Sequence, residues 1–289
     1  MKKEVCPICK KRNIKIGKYS EIKDPYNYIK RSFFFNKCLN CNHLCLGNPL
    51  NEKQISKAYP KNYGAYKQMS LNKLRKILIN YQAKSLLKNF DRKKIKILEI
   101  GSGEGIYSKY FIKKGHYVTA TDFNKKSLAQ LKNLGIKTKL GNFSEIKFTE
   151  KFDLIIMSHV IEHFYNPIKV VRKLKRLLIK KGTIYIKTPS ANFLFLNLIK
   201  DNTYVFDAPR HINIFSKQSL RILFEKEDFE VKIKDEFTLN EFINYFKIKY
   251  KNKIKLPHLI LIALFSIIPT TISYLLKKSS RMIITATKK

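Results

Sequence analysis

Tryptophan is absent from this chain of 289 residues, and acidic residues are scarce: 21 Asp and Glu stand against 59 Lys and Arg. Only nine of those 59 are arginine, the residue that phosphate-binding surfaces usually use for its two-pronged guanidinium. A general lysine bias therefore explains the formal charge of +38 better than an anionic partner does, although a nucleic acid or a membrane stays open. Hydrophobic residues make up 44%, which excludes a disordered or collagen-like chain.

Cysteine is absent beyond residue 45, and residues 1–9 lack the apolar segment of a secretory signal. We therefore expect a cytoplasmic protein whose paired cysteines bind a metal ion and do not form disulfides. Two CxxC pairs supply four thiolates, the closed tetrahedral set of a structural Zn²⁺ site, and the alternatives are a redox dithiol and a chance or vestigial pairing. His43 and Cys45 lie close by, but a four-thiolate site needs neither. The predicted ligands are Cys6, Cys9, Cys38 and Cys41.

Composition divides the chain into three predicted parts. Residues 1–46 hold the cysteines and are predicted to form a zinc ribbon, in which metal replaces a core too small to fold alone. Residues 47–94 are predicted to be a connector and an amphipathic helix. Residues 95–289 alternate apolar strands with helices, which is typical of an α/β domain, and carry an apolar helical insert at 240–280.

The connector helix is predicted over residues 71–90, where apolar residues recur at helical spacing. We expect this apolar face to pack on the α/β domain and the basic face to meet solvent. The residues assigned to the packed face are Leu71, Leu74, Ile77, Leu78, Tyr81, Leu86, Leu87 and Phe90.

Glycines cluster directly after the first apolar strand of the α/β part. Residues 95–100 are predicted to form a buried strand, Gly101, Gly103 and Gly105 follow it, and a helix is predicted over 106–114. A strand, a glycine turn and a helix open a nucleotide-binding sheet, because glycine lets the backbone approach a ligand. A dinucleotide fingerprint would need glycine at position 106, where isoleucine stands.

An acid two residues before the first glycine completes the pattern Glu99-Ile-Gly101-Ser-Gly103-Glu-Gly105. This pattern, together with the strands and helices that follow it, resembles the class I S-adenosylmethionine-dependent methyltransferases of small-molecule type. The resemblance covers 95–239 and 281–289, just over half the chain. It implies an α/β fold with a doubly wound, Rossmann-like seven-stranded sheet whose last strand is antiparallel. It also implies S-adenosylmethionine as the cofactor and methyl transfer as the activity.

The resemblance implies roles for the residues at the strand ends. The three glycines would line the methionine end of the cofactor, and Glu99 would organise their turn. Asp122, which ends the second strand, would accept hydrogen bonds from the ribose hydroxyls, a task that suits a carboxylate. Asn142 and Phe143 would frame the adenine. Asparagine stands where the family usually has an acid, and its amide oxygen can still accept from the adenine amino group.

Methyl transfer from a sulfonium is an in-line displacement, so the protein must align the two reactants and exclude water. A hydroxyl or carbon acceptor also needs a base. The candidates are His159 and His163 after the fourth strand and His211 after the fifth, on the ligand-facing edge of the sheet. We expect Glu162 to cap or pair locally.

Two further absences bear on the acceptor. Without cysteine beyond residue 45, the α/β domain cannot attack a pyrimidine through a thiolate. The Asn-Pro-Pro-aromatic signature of amino-methylating nucleic-acid enzymes is missing after the fourth strand. Both favour a small-molecule, glycan or lipid-linked acceptor over nucleic acid. The alternatives are an RNA methyltransferase that uses the zinc ribbon and the basic surface, and a non-catalytic, membrane-associated cofactor-binding module.

Residues 256–276 contain no Lys, Arg, Asp or Glu, and lysines flank them. The length suits a membrane span, but Pro269 lies inside, and the predicted last strand at 281–287 must return to the sheet. We therefore predict a helix–proline–helix hairpin that dips into the inner leaflet of an anionic membrane through 256–278. A lid over an apolar pocket, a dimer surface and a true span are the alternatives.

Overall fold

The computed structural model describes residues 5–60, 73–88, 90–250 and 253–289. Within them the strands form one seven-stranded and one four-stranded sheet. In chain order the strands are β1 (Ile14–Ile22), β2 (Phe33–Cys38), β3 (Leu44–Leu46), β4 (Lys96–Ile100), β5 (Tyr117–Asp122), β6 (Lys137–Leu140), β7 (Phe152–Ser158), β8 (Leu178–Pro189), β9 (Asn213–Ile214), β10 (Phe229–Glu236) and β11 (Arg281–Lys288).

Eight α-helices lie among the described residues, and short 3₁₀ turns join some of the elements. The α-helices are α1 (Glu52–Ile55), α2 (Lys73–Leu87), α3 (Ile106–Lys113), α4 (Lys125–Lys132), α5 (Pro167–Leu177), α6 (Lys217–Glu225), α7 (Asn240–Lys249) and α8 (Leu256–Leu275).

The large sheet has the strand order β10-β11-β8-β7-β4-β5-β6. The strands β4 to β8 pair in parallel, and β11 inserts antiparallel between β8 and β10. This confirms the predicted doubly wound sheet with an antiparallel last strand. The central strand β7 carries a continuous apolar run because helices cover both faces of the sheet, and every side chain of Leu154–Met157 is buried.

Two helical layers enclose the sheet. On one face α5 and α6 bury Val170, Leu174 and Phe224 against the strands. On the other face α2, α3 and α4 bury residues such as Phe111 and Leu131. The carboxyl ends of the parallel strands therefore emerge at one edge, where open α/β sheets bind ligands.

The N-terminal strands do not form an isolated module. The small sheet has the order β1-β2-β3-β9, and β9 belongs to the segment that follows β8. Leu44 pairs with Ile214 and Cys45 with Asn213, so a distant part of the chain completes this sheet. β9 was not predictable from the sequence, because a two-residue strand carries too little periodicity to be recognised.

Helix α2 corrects the face predicted for the connector helix. Ile77, Leu78 and Tyr81 are exposed, contrary to the prediction, whereas Leu86, Leu87 and Phe90 pack into the core as predicted. Ile79 and Ala83, which were not predicted, pack there too. Apolar residues on several sides of a helix do not by themselves identify the buried side. Here the buried side of α2 is set by its packing against the neighbouring helix α3. Residues 71 and 72 lie outside the described part.

The apolar insert also differs from its prediction. Helix α8 runs unbroken through Pro269, so the predicted helix–proline–helix hairpin is wrong. Proline has a φ that a helix accepts, and its cost here is one missing N–H bond. The chain reverses instead between α7 and α8, which pack together. The segment Pro257–Leu275 has a mean hydropathy of 1.8, is 17% buried and is long and apolar enough to cross a membrane.

Candidate active site

Glu99 connects the first parallel strand to the helix that follows it. Its buried carboxylate accepts hydrogen bonds from the backbone N–H of Ser108, at 2.9 Å, and from the Ser108 hydroxyl. Ser108 lies in the first turn of α3, where backbone N–H groups lack helical partners. Burial raises the pKa of Glu99 to about 7. This carboxylate therefore ties the end of β4 to the first turn of α3, on either side of the glycine turn.

The glycine turn has a backbone that other residues rarely adopt. Gly101, Gly103 and Gly105 have φ of +64°, +51° and +64°. A Cβ on Gly101 would come within 2.5 Å of Val160, and one on Gly105 within 2.5 Å of Leu131. The turn is therefore a cradle that only glycine permits, with backbone open to the cleft at Gly101 and Gly103.

Asp122 lies against this turn. Its Oδ2 accepts from the Gly103 N–H at 2.7 Å, and its Oδ1 accepts from the Asn124 N–H at 2.8 Å. Each carboxylate oxygen can accept a second hydrogen bond, and Asp122 lines the same cleft. The residues thus fit the adenosyl part of S-adenosylmethionine, with glycine backbone and a diol acceptor side by side.

Asn142 and Phe143 follow β6 and also line the cleft. The Asn142 amide is engaged locally: Oδ1 accepts from the Ser144 N–H at 3.0 Å, and Nδ2 donates to Glu145 at 3.2 Å. Phe143 is buried and its ring packs in the core. Phe123, which was not among the predicted site residues, lines the cleft with 71% of its surface exposed. Its position directly after the strand-ending Asp122 was the available signal.

The three predicted histidines meet on the far side of the same cleft. His159 and His163 lie in and beside the turn after β7, and the loop after β8 brings His211 to them. His163 and His211 have ring centroids 5.0 Å apart. Burial lowers the pKa of His211 to about 4, so its imidazole is neutral at pH 7. His159 keeps one third of its side chain exposed.

Glu162 lies among these histidines, completely buried. Its Oε2 accepts from the Thr188 hydroxyl at 3.0 Å, and its Oε1 lies 3.3 Å from His159 Nδ1. Burial alone would raise the pKa of Glu162, but the adjacent histidines, His159 first, lower it to about 2. The carboxylate therefore stays charged inside the protein.

Arg210, which the sequence analysis did not single out, holds the histidine loop. Its guanidinium is fully buried and pairs with Asp207 at 2.7 Å and with Asp24 at 2.5 Å. It also donates to the Ala58 carbonyl at 3.2 Å. Asp24 belongs to the N-terminal part, so this arginine ties that part to the loop that carries His211.

The four predicted cysteine ligands converge. The Sγ atoms of Cys6 and Cys41 are 3.6 Å apart, those of Cys9 and Cys38 are 3.5 Å apart, and all four lie within 4.8 Å of one another. A tetrahedral zinc ion with bonds of about 2.3 Å would separate its sulfurs by about 3.8 Å. The cluster therefore fits a metal ion of that kind, and Cys45 stays outside it.

Solved structures share this fold. The plantazolicin methyltransferase BamL, solved with a substrate analogue and SAH, matches with a TM-score of 0.52 and 18% identity over 81% of this chain and 91% of its own. The [4+2]-cyclase SpnF matches with a TM-score of 0.50 and 11% identity, over 72% and 80%. Because their named activities differ, these likenesses describe the fold alone.

Curated relatives and a family model go further. Two proteins named ubiquinone biosynthesis O-methyltransferase are similar: that of Pelagibacter ubique is 28% identical over 49% of this chain and 66% of its own length, just under two thirds. That of Glaesserella parasuis is 29% identical over 62% and 82%. A family model described as a methyltransferase domain matches residues 74–232, more than half the chain. With the glycine cradle and its acid in contact, this chain belongs to the class I S-adenosylmethionine-dependent methyltransferases.

Proposed function

We propose that this enzyme methylates a hydroxyl group of a small-molecule acceptor. The observation that carries the proposal is the continuous cleft, which runs from Gly101 and Asp122 to His159, His163 and His211. The relatives named as O-methyltransferases of ubiquinone biosynthesis support an oxygen acceptor on a small molecule. A saccharide or a lipid-linked intermediate belongs to the same class of hydroxyl acceptor.

On this proposal the cradle residues hold the cofactor, which supplies a methyl group already activated on a sulfonium sulfur. Gly101 and Gly103 present backbone to its methionine end, and Asp122 accepts hydrogen bonds from its ribose. Phe123 offers an exposed ring for the adenine, beside Asn142. Glu99 acts indirectly, because it shapes the turn through Ser108.

The histidines on one side of the cleft would accept the proton that the acceptor hydroxyl loses. A hydroxyl must lose its proton as it attacks, so a base within reach accelerates the transfer. We assign this role to His159, because it keeps solvent contact in the cleft and can pass the proton on. His211 donates a hydrogen bond from its Nδ1 to the Val205 carbonyl at 2.8 Å, so the lone pair of its neutral imidazole lies on Nε2.

We further propose that the cysteine cluster holds a structural zinc ion. The ion would fix the small sheet of β1, β2, β3 and β9. Because β9 continues directly from the loop that carries His211, the same ion would also stabilise the acceptor side of the cleft. The separation of the four sulfurs supports this assignment.

For helix α8 we propose peripheral contact with an anionic membrane on the cytoplasmic side. Leu261, Leu264, Phe265 and Ile268 are exposed on this helix, and Lys277 follows its C-terminal end within a basic flank. Apolar residues would enter the leaflet, and lysines would meet the headgroups. Since β10 and β11 are neighbours in one sheet, the helix starts and returns on one side of that membrane.

The proposal is tested with isotope-labelled S-adenosylmethionine and fractionated cell extract. We expect calorimetric cofactor binding and label in a small-molecule or lipid fraction, with both lost or weakened at least tenfold in Asp122→Asn. Asp228→Asn, at an exposed position, is the matched control and should behave as wild type. Label in RNA would identify an RNA methyltransferase instead, and cofactor binding without any transfer would identify a binding module. Either result would overturn the proposal.

A further inference from the structure

The turn after β7, which carries His159 and His163, is held in part by the segment that leads into β9. The backbone N–H of Ile212 donates to the Glu162 carbonyl at 2.9 Å. The Arg210 carbonyl lies 2.9 Å from His163 Nδ1. The position of the turn therefore depends on the position of this segment.

Strand β9 is held in turn by the N-terminal part of the chain. It pairs with β3 in the small sheet, and the Leu46 N–H donates to the Ile212 carbonyl at 2.9 Å. The Ser216 hydroxyl donates to the carbonyl of Cys41, one of the four clustered cysteines. One short segment thus contacts the cysteine-bearing part on one side and the turn after β7 on the other.

The side chain of Asn213 joins these two sides directly. Only 2% of this residue is exposed, its Nδ2 donates to the Phe164 carbonyl at 2.7 Å, and its Oδ1 lies 3.1 Å from His43 Nε2. A carbonyl can only accept, so the amide must present Nδ2 to Phe164 and Oδ1 to His43. His43 Nε2 therefore carries the hydrogen and donates it to Asn213.

His43 is itself fixed by the second CxxC pair. It follows that pair by two residues, its side chain is completely buried, and the Cys38 N–H donates to its backbone carbonyl at 2.9 Å. A continuous series of hydrogen bonds therefore runs from the cysteine pair through His43 and Asn213 to Phe164, which directly follows the 3₁₀ turn Ile161–His163.

We propose that Asn213 and His43 are positioning residues for methyl transfer, which set the turn that carries His159. Neither side chain lines the cleft, so both act through the turn. Without the Asn213 amide, the Phe164 carbonyl and the His43 N–H lose their partner inside the protein, and the turn shifts to satisfy them. A displacement of about 1 Å at reacting groups lowers a rate by about a hundredfold. The role in transfer rests on the proposed function, whereas the contacts stand without it.

The test compares Asn213→Leu with Asn36→Leu in the full-length protein loaded with zinc. Asn36 is the matched control, because it is also 2% exposed and its Oδ1 accepts from the Gly17 N–H at 2.9 Å within the small sheet. We expect Asn213→Leu to lower kcat at least tenfold for transfer to the fraction that the wild type labels. Its calorimetric affinity for S-adenosylmethionine should stay within about twofold. Asn36→Leu should lower the melting temperature similarly and keep the wild-type kcat.

A pair of variants at His43 tests the hydrogen bond itself. Glutamine places an amide N–H close to the position of the imidazole Nε2, so His43→Gln should keep the donor to Asn213 and a kcat within about threefold of wild type. His43→Leu removes the donor and should lose kcat as Asn213→Leu does. A residue that only fills the core would lose more from buried glutamine than from leucine. Zinc content, measured in each variant, identifies any loss of the ion.

Hydrogen exchange of the Ile212 N–H gives a readout that needs no acceptor. It should be at least tenfold faster in Asn213→Leu than in the wild type and unchanged in Asn36→Leu. If Asn213→Leu does not fold, His43→Leu and His43→Gln decide by the same measurements.

Unchanged exchange in folded Asn213→Leu, or an equal loss of kcat in Asn36→Leu, would overturn the inference. Faster exchange with unchanged kcat would show that the link does not serve transfer. A wild type that transfers no methyl group to any fraction would contradict the proposed function instead, and the exchange rates alone would then decide whether Asn213 sets the turn.

Discussion

Arg210 and Asp24 form an ion pair in which neither side chain has any exposure to solvent, with 2.5 Å between Nη2 and Oδ1. The two residues lie 186 positions apart in the chain, and Asp207 shares the same guanidinium. The pair joins the N-terminal part to the loop that carries His211, so we expect its loss to destabilise both parts.

Breaking this pair from one side should be strongly destabilising. Arg210→Met leaves Asp24 and Asp207 buried without their cation, and such a loss costs about 3–5 kcal/mol. Urea unfolding measures this loss of stability. Arg221→Met removes an exposed pair with Glu225 and should cost less than about 1 kcal/mol. Equal losses in the two variants would contradict the role assigned to Arg210.

The glycine cradle predicts a contrast between two alanine substitutions. Gly101→Ala adds a Cβ within 2.5 Å of Val160 at a positive φ, so we expect loss of stability and at least tenfold weaker cofactor binding. Gly135→Ala has a φ of +79° but nothing within 4 Å of its Cβ, so only backbone strain of about 1–2 kcal/mol remains. Calorimetric titration with S-adenosylmethionine distinguishes the two variants by their cofactor affinity. Unchanged binding in Gly101→Ala would show that the cradle does not hold the cofactor.

Glu99 predicts a specific dependence of stability on pH. Burial raises its pKa from the usual 4.5 to about 7, so the folded protein keeps a proton that the unfolded chain releases between these values. The contribution of Glu99 to stability is therefore fully present below pH 4.5 and is lost as the pH rises to about 7. The free energy of unfolding of wild type minus that of Glu99→Gln should fall by roughly 3 kcal/mol across this window.

Denaturant unfolding at several pH values measures this difference. Glu230→Gln, at an exposed strand position, is the control, and its difference from wild type should stay nearly constant. A Glu99 difference that rises with pH would show that the carboxylate is stabilised in its charged form.

If the cysteine cluster binds zinc, the zinc content of the protein should fall when one of its four cysteines is replaced. Cys9→Ser should lower bound zinc well below one ion per chain and lower the melting temperature by about 10 °C or more, because metal binding contributes folding free energy. Cys45→Ser, outside the cluster, should keep the zinc content and the melting temperature of the wild type. Atomic absorption and thermal unfolding measure the two quantities. A Cys9→Ser protein with full zinc content would show that another residue completes the site.

The contacts that Glu99 and Asp122 make around the glycine turn were predictable, because they join elements that are consecutive in the chain or adjacent in the sheet. A strand, a turn and a helix in succession place Glu99 against Ser108, and adjacent parallel strands place Asp122 at the same sheet edge as Gly103. The connector helix shows the opposite case. Apolar residues occur on several of its sides, so its sequence predicted a helix but not which side is buried.

The sequence by itself indicated the two cysteine pairs and the glycine turn, because these motifs depend on residue types at short spacing, and the family that they resemble implied a seven-stranded sheet with an antiparallel last strand. Only the tertiary structure decided that β9 completes the N-terminal sheet, that Arg210 bridges to Asp24, and that Glu162, His163 and His211 converge. These contacts join segments far apart in the chain. The sequence on either side of such a contact shows no periodic pattern that would reveal its partner. Polar and charged residues are also expected at the surface, so their burial becomes visible only when the packing that encloses them is known.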